Sequence, residues 1–101
     1  MARFLITYYA GEMPQDAESI AQARRAFAQW AATMGAALAD VGTPIRSVTI
    51  ISSDGIHNGT PAGPFMGWSV IEAEDGNAAI RLMEDHPFLS LGGMLQLSEP
   101  I

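Results

Sequence analysis

Two histidines are the side chains in this sequence that can exchange protons near neutral pH. His86 follows Asp85 and precedes a proline, so it is either a proton carrier that Asp85 orients or a helix-terminal histidine that complements the helix dipole. His57 lies in a glycine-rich segment three residues after Asp54, a spacing that lets the two side chains meet in a turn. We take His57, His86 and Asp54 as candidate catalytic residues, with a solvated loop histidine as the alternative for His57.

Other residues could hold a ligand. Arg46 is expected inside the second strand, where its guanidinium could hold a carboxylate or phenolate by paired hydrogen bonds or its stem could cover apolar surface. Tyr8 and Trp68 are aromatic residues of predicted strands, and Phe65 directly precedes one. These aromatic residues would line a small apolar pocket at the sheet face or fill the core of a dimer.

The composition excludes several other kinds of site. The sequence has no cysteine, which excludes disulfides and thiolate metal sites, and its histidines and acids show no metal-ligand spacing. It lacks a serine-centred nucleophile elbow and a phosphate-binding glycine motif. Five arginines and no lysine against eleven acids give a net charge of -6, which argues against a nucleic-acid partner. We therefore expect no metal, no cofactor and no nucleic acid.

The length of 101 residues is typical of one domain, so we treat residues 1–101 as a single unit. The first residues carry one arginine and a short apolar run, too brief for a signal peptide or a membrane span. We expect a cytoplasmic protein with no membrane partner.

The elements that must position these side chains begin with a strand at residues 3–10, which are rich in β-branched and aromatic types. A break with glycine and proline follows at residues 11–16. Apolar residues then recur at steps of three and four, which predicts a helix over residues 16–41. Asp16 or Ser19 would cap its start, and Gly42 would end it.

The rest of the chain predicts three more strands and a second helix. The strands fall at residues 43–53, 66–74 and 94–99. Residues 54–64 are rich in glycine and proline and predict a loop, and Asp75 would cap a helix over residues 77–85. The order βαββαβ predicts an α+β fold of the ferredoxin-like type, in which a four-stranded antiparallel sheet carries both helices on one face.

Both faces of this predicted sheet are apolar. The first strand alternates Phe4, Ile6 and Tyr8 with Leu5, Thr7 and Tyr9. Two helices can cover only one of these sets, and soluble monomers seldom expose a large apolar patch. We predict a homodimer whose sheets pack face to face about a two-fold axis.

Three segments, at residues 30–45, 63–65 and 67–101, carry a resemblance to a known family. In order and spacing they resemble the YCII-related family, which has a DGPF-type signature and a dimeric α+β barrel architecture. Ala62 stands where the family has an acid before Gly-Pro-Phe, and Glu99 where an arginine is often found. Some members are thought to pair an early histidine with an aspartate before the second-helix proline. Here no histidine precedes His57 and that position is His86, so the resemblance implies no catalytic dyad.

These observations favour a small dimeric α+β barrel protein that binds a small apolar or aromatic metabolite at the sheet face or lends its dimer to a larger assembly. The alternative is a cofactor-free lyase or isomerase acting on a small cyclic or aromatic acid, with His57 or His86 as proton carrier and Arg46 as anion holder. A third hypothesis is a structural dimer with a filled interior. The sequence leaves all three hypotheses open.

Overall fold

The computed structural model of the protein describes residues 1–11, 16–59 and 65–101. The helices and strands are β1 (Ala2–Tyr9), α1 (Ala17–Met34), β2 (Leu38–Pro44), β3 (Thr49–Ser52), β4 (Gly55–Asn58), β5 (Phe65–Ala73), α2 (Gly76–Met83) and β6 (Met94–Ser98). Two short 3-10 helices, Gly35–Ala37 and Pro87–Leu91, follow α1 and α2. Most of the predicted break after β1 and the end of the predicted loop, with the Gly-Pro pair of the family motif and Ala62 before it, lie outside the described residues.

Four strands form one antiparallel sheet in the order β2-β5-β1-β6. Ile6 of β1 pairs with Ser69 of β5 on one side and with Leu97 of β6 on the other, so β1 and β5 are the central strands. β3 and β4 pair with each other and form a separate two-stranded hairpin. The expected α+β class, with two helices and an antiparallel sheet, is confirmed.

Each α-helix begins after an aspartate that caps it. The Asp16 carboxylate accepts a hydrogen bond from the Ser19 backbone N–H at 2.9 Å, and Asp75 accepts one from the Ala78 backbone N–H at 2.8 Å. These bonds satisfy backbone donors that have no partner within the first turn. The bond from Ser19 also lowers the pKa of the Asp16 carboxyl. Asp16 and Asp75 are thereby confirmed as the N-caps.

The predicted end of the first helix is wrong. The helix ends at Met34 instead of residue 41, because Gly35 has a φ of 55° and turns the chain out of the helix. Leu38 then lies in β2, opposite Ile71 of β5. The apolar positions Met34, Leu38 and Val41 fit a helical period, so the spacing alone favoured a longer helix.

The predicted second strand, residues 43–53, does not form as one strand, since its first two residues belong to β2 and residues 49–52 form β3. The chain leaves β2 after Pro44, and residues 45–48 connect it to β3 without forming a strand. β3 turns back at Ser53 and Asp54 into β4, which occupies part of the predicted loop. Ser53 and Asp54 form the turn, and Gly55, the first residue of β4, supplies the φ of 133° that follows it.

In the described part of the chain, the two helices cover one face of the sheet. The core on that face consists of Phe4, Ile6, Tyr8, Ile71 and Ala73 from the strands with Trp30, Met34, Ala79 and Met83 from the helices. The opposite face carries Leu5 and Met94, which are 41% and 52% exposed, the half-buried Trp68 and Val70, and the buried Thr7 and Tyr9. The smallest extent of the molecule is 19 Å, which fits one sheet and one helix layer. We call the side that the two helices do not cover the open sheet face.

Candidate functional site

His86 lies between α2 and the 3-10 helix Pro87–Leu91, and its backbone is extended, with φ -62° and ψ 135°. Pro87 enforces this conformation, because the residue before a proline is pushed out of the helical region. The predicted helix over residues 77–85 forms, but α2 ends two residues earlier, at Met83. The turn directs the imidazole into the protein, and only 2% of His86 is exposed.

The two imidazole nitrogens of His86 have different surroundings. Nδ1 accepts a hydrogen bond from the Phe88 backbone N–H at 3.0 Å and so caps the 3-10 helix. A ring nitrogen that accepts a hydrogen bond carries no proton, so the proton of the neutral imidazole lies on Nε2. Nε2 is buried and has no hydrogen-bond partner among the residues that the structure describes. His86 therefore presents an unpartnered N–H donor inside the protein.

Burial also sets the charge of His86. A charged imidazolium loses its hydration inside the protein, and this desolvation lowers the pKa of His86 from 6.5 to about 4. The side chain is thus neutral near pH 7, which is incompatible with a charged histidine that complements a helix dipole. Asp85 is exposed and forms no hydrogen bond with His86, so it does not orient the imidazole.

Four aromatic rings surround the imidazole, and we call them, together with His86, the aromatic cluster. The distance from the His86 ring centroid is 4.4 Å to Trp30, 5.0 Å to Tyr8, 5.5 Å to Phe88 and 5.7 Å to Phe27. α1 supplies Phe27 and Trp30, β1 supplies Tyr8, and the 3-10 helix supplies Phe88. The indole Nε1 of Trp30 is also buried and without a partner among the described residues.

A hydroxyl chain joins the aromatic cluster to the sheet. The Tyr8 hydroxyl donates to Ser69 Oγ at 2.7 Å, and Ser69 Oγ donates to the Val41 backbone oxygen at 2.8 Å. Burial raises the pKa of the Tyr8 phenol, and the hydrogen bond to Ser69 partly opposes this rise. Tyr8 therefore remains protonated near neutral pH and its ring is held in one orientation against His86.

The other predicted catalytic residues lie elsewhere. His57 is an exposed residue of β4 opposite Ile50, and Asp54 is exposed in the turn of the same hairpin. Both His57 and Asp54 are among the described residues, and no hydrogen bond joins them. Arg46, which the sequence predicted inside a strand, is exposed in the connection after β2 because Pro44 ends that strand. None of these three residues belongs to the aromatic cluster.

The predicted ligand-binding aromatic residues are divided between the two faces of the sheet. Tyr8 lies on the helix-covered face and contacts His86. Trp68 pairs with Thr7, and Phe65 pairs with Tyr9, so both lie on the open sheet face. The rings of Phe65 and Tyr9 meet edge to face at 5.5 Å. The structure thus brings Tyr8 together with His86 and separates both from Trp68 and Phe65.

Three residues of this region, Phe27, Trp30 and Ser69, are not among the functional residues that the sequence predicts. Phe27 and Trp30 are apolar residues at the helical spacing that predicts α1; Trp30 lies in the core, and the partly buried Phe27 packs against it. The spacing could not indicate that the Trp30 indole nitrogen has no partner. Ser69 is fully buried on the helix-covered face between Gly67 and Ile71, and a polar residue at an inward position of an apolar strand is a signal that the sequence does contain.

The described residues contain no group of three or more histidine, cysteine, aspartate or glutamate side chains able to hold a metal ion. No helix among them is both long enough and apolar enough to cross a membrane. Comparison of the sequence with models of protein families found no match, and comparison with curated proteins also found none. The geometry of the aromatic cluster is the strongest guide to function.

Proposed function

We propose that this chain forms a homodimer of YCII-related type and binds a small apolar or aromatic molecule at the helix-covered side of its sheet, beside His86. One observation carries the binding proposal, namely the buried, unpartnered Nε2 of His86 within a cluster of aromatic rings. Ligand sites are commonly apolar and aromatic surfaces with a few polar groups that fix orientation. The sequence predicted the ligand at the sheet face opposite the helices, with Tyr8 among its residues, but Tyr8 lies on the helix-covered face, so the proposed site moves to that side.

The order of the elements supports a ferredoxin-like arrangement as part of the proposal. With the β3–β4 hairpin taken as an insertion, the chain runs βαββαβ, and the strand order β2-β5-β1-β6 suits that arrangement. The resemblance of residues 30–45 and 67–101 to the YCII-related family supports the same architecture.

Two exposed apolar surfaces support the dimer. The open sheet face exposes Leu5 on a central strand and Met94 on the edge strand β6. On the hairpin, Ile51 and Ile56 pair across the strands and are 79% and 70% exposed. Contiguous exposed apolar residues of this kind mark interaction surfaces in soluble proteins. A second copy of the chain would cover the open sheet face by two-fold packing.

Sedimentation of the purified protein at micromolar concentration tests the dimer. We expect a mass near twice the 10.8 kDa of one chain. Leu5→Glu would place a charge on the open sheet face and should shift the protein to monomers, whereas Ile80→Glu, at an exposed position of α2, should not. A wild-type mass near 10.8 kDa would contradict the dimer.

Titration of labelled protein with toluene and with acetophenone, followed by amide NMR, tests the binding site. We expect saturable shifts at the backbone amides of Phe27 and Phe88, because their rings border His86. Saturable shifts confined to Trp68 and Phe65 would move the ligand to the open sheet face. The absence of any saturable shift would refute small-molecule binding of this class.

The second candidate function is a cofactor-free lyase or isomerase, and the same imidazole favours it. A neutral histidine with a pKa of about 4 is a poor base near neutral pH, but its Nε2–H can polarise a carbonyl oxygen. With the carbonyl of acetophenone polarised in this way, deuteroxide from the solvent would take a methyl proton and D2O would return a deuteron to the enolate, so such an enzyme would accelerate exchange of the methyl protons in deuterated water. Exchange that is no faster with the wild-type protein than with His86→Asn would leave binding as the function.

A further inference from the structure

The outer edge of β3 pairs with no other strand in the described part of the chain. β3 and β4 pair only with each other and stand apart from the four-stranded sheet. An isolated two-stranded hairpin is only marginally stable in water, and an exposed strand edge is a template for pairing with another strand. The sequence of β3, Thr-Ile-Ile-Ser, has neither the charge nor the proline that commonly blocks such an edge.

The hydrogen bonds of the hairpin decide which backbone groups lie on this edge. The Gly59 N–H donates to the Val48 backbone oxygen at 3.0 Å, and the strand register places these two residues opposite each other. In an antiparallel ladder, hydrogen-bonded pairs alternate with pairs whose backbone groups point outward. Ile50 therefore bonds to β4, whereas the backbone groups of Thr49 and Ile51 point away from it. Both of these residues are exposed.

Opposite charges flank the edge. Arg46 lies three residues before β3 and Asp54 two residues after it, and both are exposed. If two copies of β3 pair antiparallel with Ile50 on a two-fold axis, Thr49 of one copy meets Ile51 of the other, and each such pair exchanges two backbone hydrogen bonds. Arg46 and Asp54 each lie four residues from Ile50, so the same register brings Arg46 opposite Asp54 of the partner subunit.

We infer that β3 pairs with β3 of a second copy of the chain, with Ile50 on the two-fold axis, and joins two hairpins into one sheet. The register that satisfies the outward backbone groups is also the one that matches the charges of Arg46 and Asp54. This inference goes beyond the proposed function, because the contact is separate from the open sheet face. It would join dimers into a larger assembly. The contact is small for a protein interface, so we expect association near about 1 mM and not at micromolar concentration.

The variant Leu5→Glu isolates this contact, because it should be monomeric at micromolar concentration. Sedimentation of this variant from about 10 μM to about 1 mM should show a mass that rises from near 10.8 kDa toward twice that value. The largest concentration-dependent amide NMR shifts should lie at Thr49 and Ile51, whose N–H groups gain a partner. In the wild type the same contact should raise the mass above that of the dimer.

Charge reversal tests the register. Within Leu5→Glu, either Arg46→Glu or Asp54→Arg should weaken association about tenfold, because each turns both ion pairs into like-charge contacts. The two changes together should restore association. Arg25→Glu and Asp85→Arg alter the net charge by the same amounts at exposed positions outside the hairpin, and they should have little effect.

Thr49→Pro tests the backbone pairing, since it removes an outward N–H and leaves the bonds between β3 and β4. It should abolish association, and the charge reversals decide the matter where this variant does not fold. Association that survives Thr49→Pro, or that the control reversals weaken equally, would overturn the inference. A mass that stays near 10.8 kDa in Leu5→Glu at about 1 mM would do the same.

The outcomes also separate this contact from the proposed dimer. A wild-type mass near 10.8 kDa at micromolar concentration refutes the dimer through the open sheet face, while the rise in mass near about 1 mM still supports β3 pairing. Association above the dimer that requires Leu5 and ignores the charge reversals would mean that the hairpin packs on the open sheet face of another copy. That result would overturn the inference.

Discussion

The burial of a neutral His86 makes the stability of the protein depend on pH. The pKa of His86 is about 4 in the folded protein against an ordinary value of 6.5. Above pH 6.5 the residue is neutral in both states and has no effect. Between pH 6.5 and about pH 4 the unfolded chain takes up a proton that the folded protein does not, so falling pH favours unfolding. Below that window both states are protonated and this loss stops.

The size of this effect follows from the two pKa values. Their difference, at about 1.4 kcal/mol per pH unit, gives a loss of about 3 kcal/mol in the free energy of unfolding across the window. Because His86 is only 2% exposed, screening by water reduces this loss only slightly. A loss of this size is a large fraction of the stability of a small domain.

Urea unfolding at fixed protein concentration, repeated between about pH 7 and about pH 4, measures this loss. His86→Asn is the informative variant, because its side-chain oxygen can still accept from the Phe88 backbone while the titrating ring is gone. The carboxyl groups are common to both proteins, so the difference between their pH profiles isolates His86. His57→Gln is the matched control for an exposed histidine and should keep the wild-type profile. Equal losses in wild type and His86→Asn would refute the reasoning.

Two further perturbations test the contacts that hold the site. Ser69→Ala leaves the buried Tyr8 hydroxyl without its acceptor and should lower the free energy of unfolding by about 1–3 kcal/mol, as measured in urea. Tyr8→Phe should lower it by roughly 1 kcal/mol. A smaller loss in Ser69→Ala than in Tyr8→Phe would contradict the hydroxyl chain. Gly42→Ala adds a side chain at a φ of 72° against the Trp68 backbone and should cost more than about 2 kcal/mol. Gly92→Ala, at a φ of 74° with open space around it, should cost about 1 kcal/mol, and equal losses would show that the close approach at Gly42 is unimportant.

The sequence predicted the sheet core better than its edge. The alternation in β1 and β5 and the two aspartate caps correspond to local physical rules, and these predictions are confirmed. β2 was missed because an alanine-rich segment with apolar residues at steps of three and four fits a helix as well as a strand. The Asp54-Gly55 pair at the start of β4 was a hairpin signal that the abundance of glycine and proline nearby obscured.

The candidate site was less predictable than the fold. His86 and Tyr8 could be named from residue type, but their contact depends on how β1, α1 and the 3-10 helix pack together. The contact between His86 and Trp30 joins residues far apart in the chain, and no spacing rule relates them. His86 is neutral because it is buried. The presence of Asp85 beside it in the sequence gives no sign of that burial.

Nitrogen NMR of the His86 imidazole tests most directly the claim that a neutral, buried N–H donor lies at the centre of this site. Two-bond correlations from the ring protons distinguish the protonated nitrogen from the unprotonated one. We predict a proton on Nε2, an unprotonated Nδ1, and a ring that stays neutral as the pH falls from about 7 to about 5, since its pKa is about 4. A ring that gains its second proton near pH 6.5, or one that carries its single proton on Nδ1, would contradict the account.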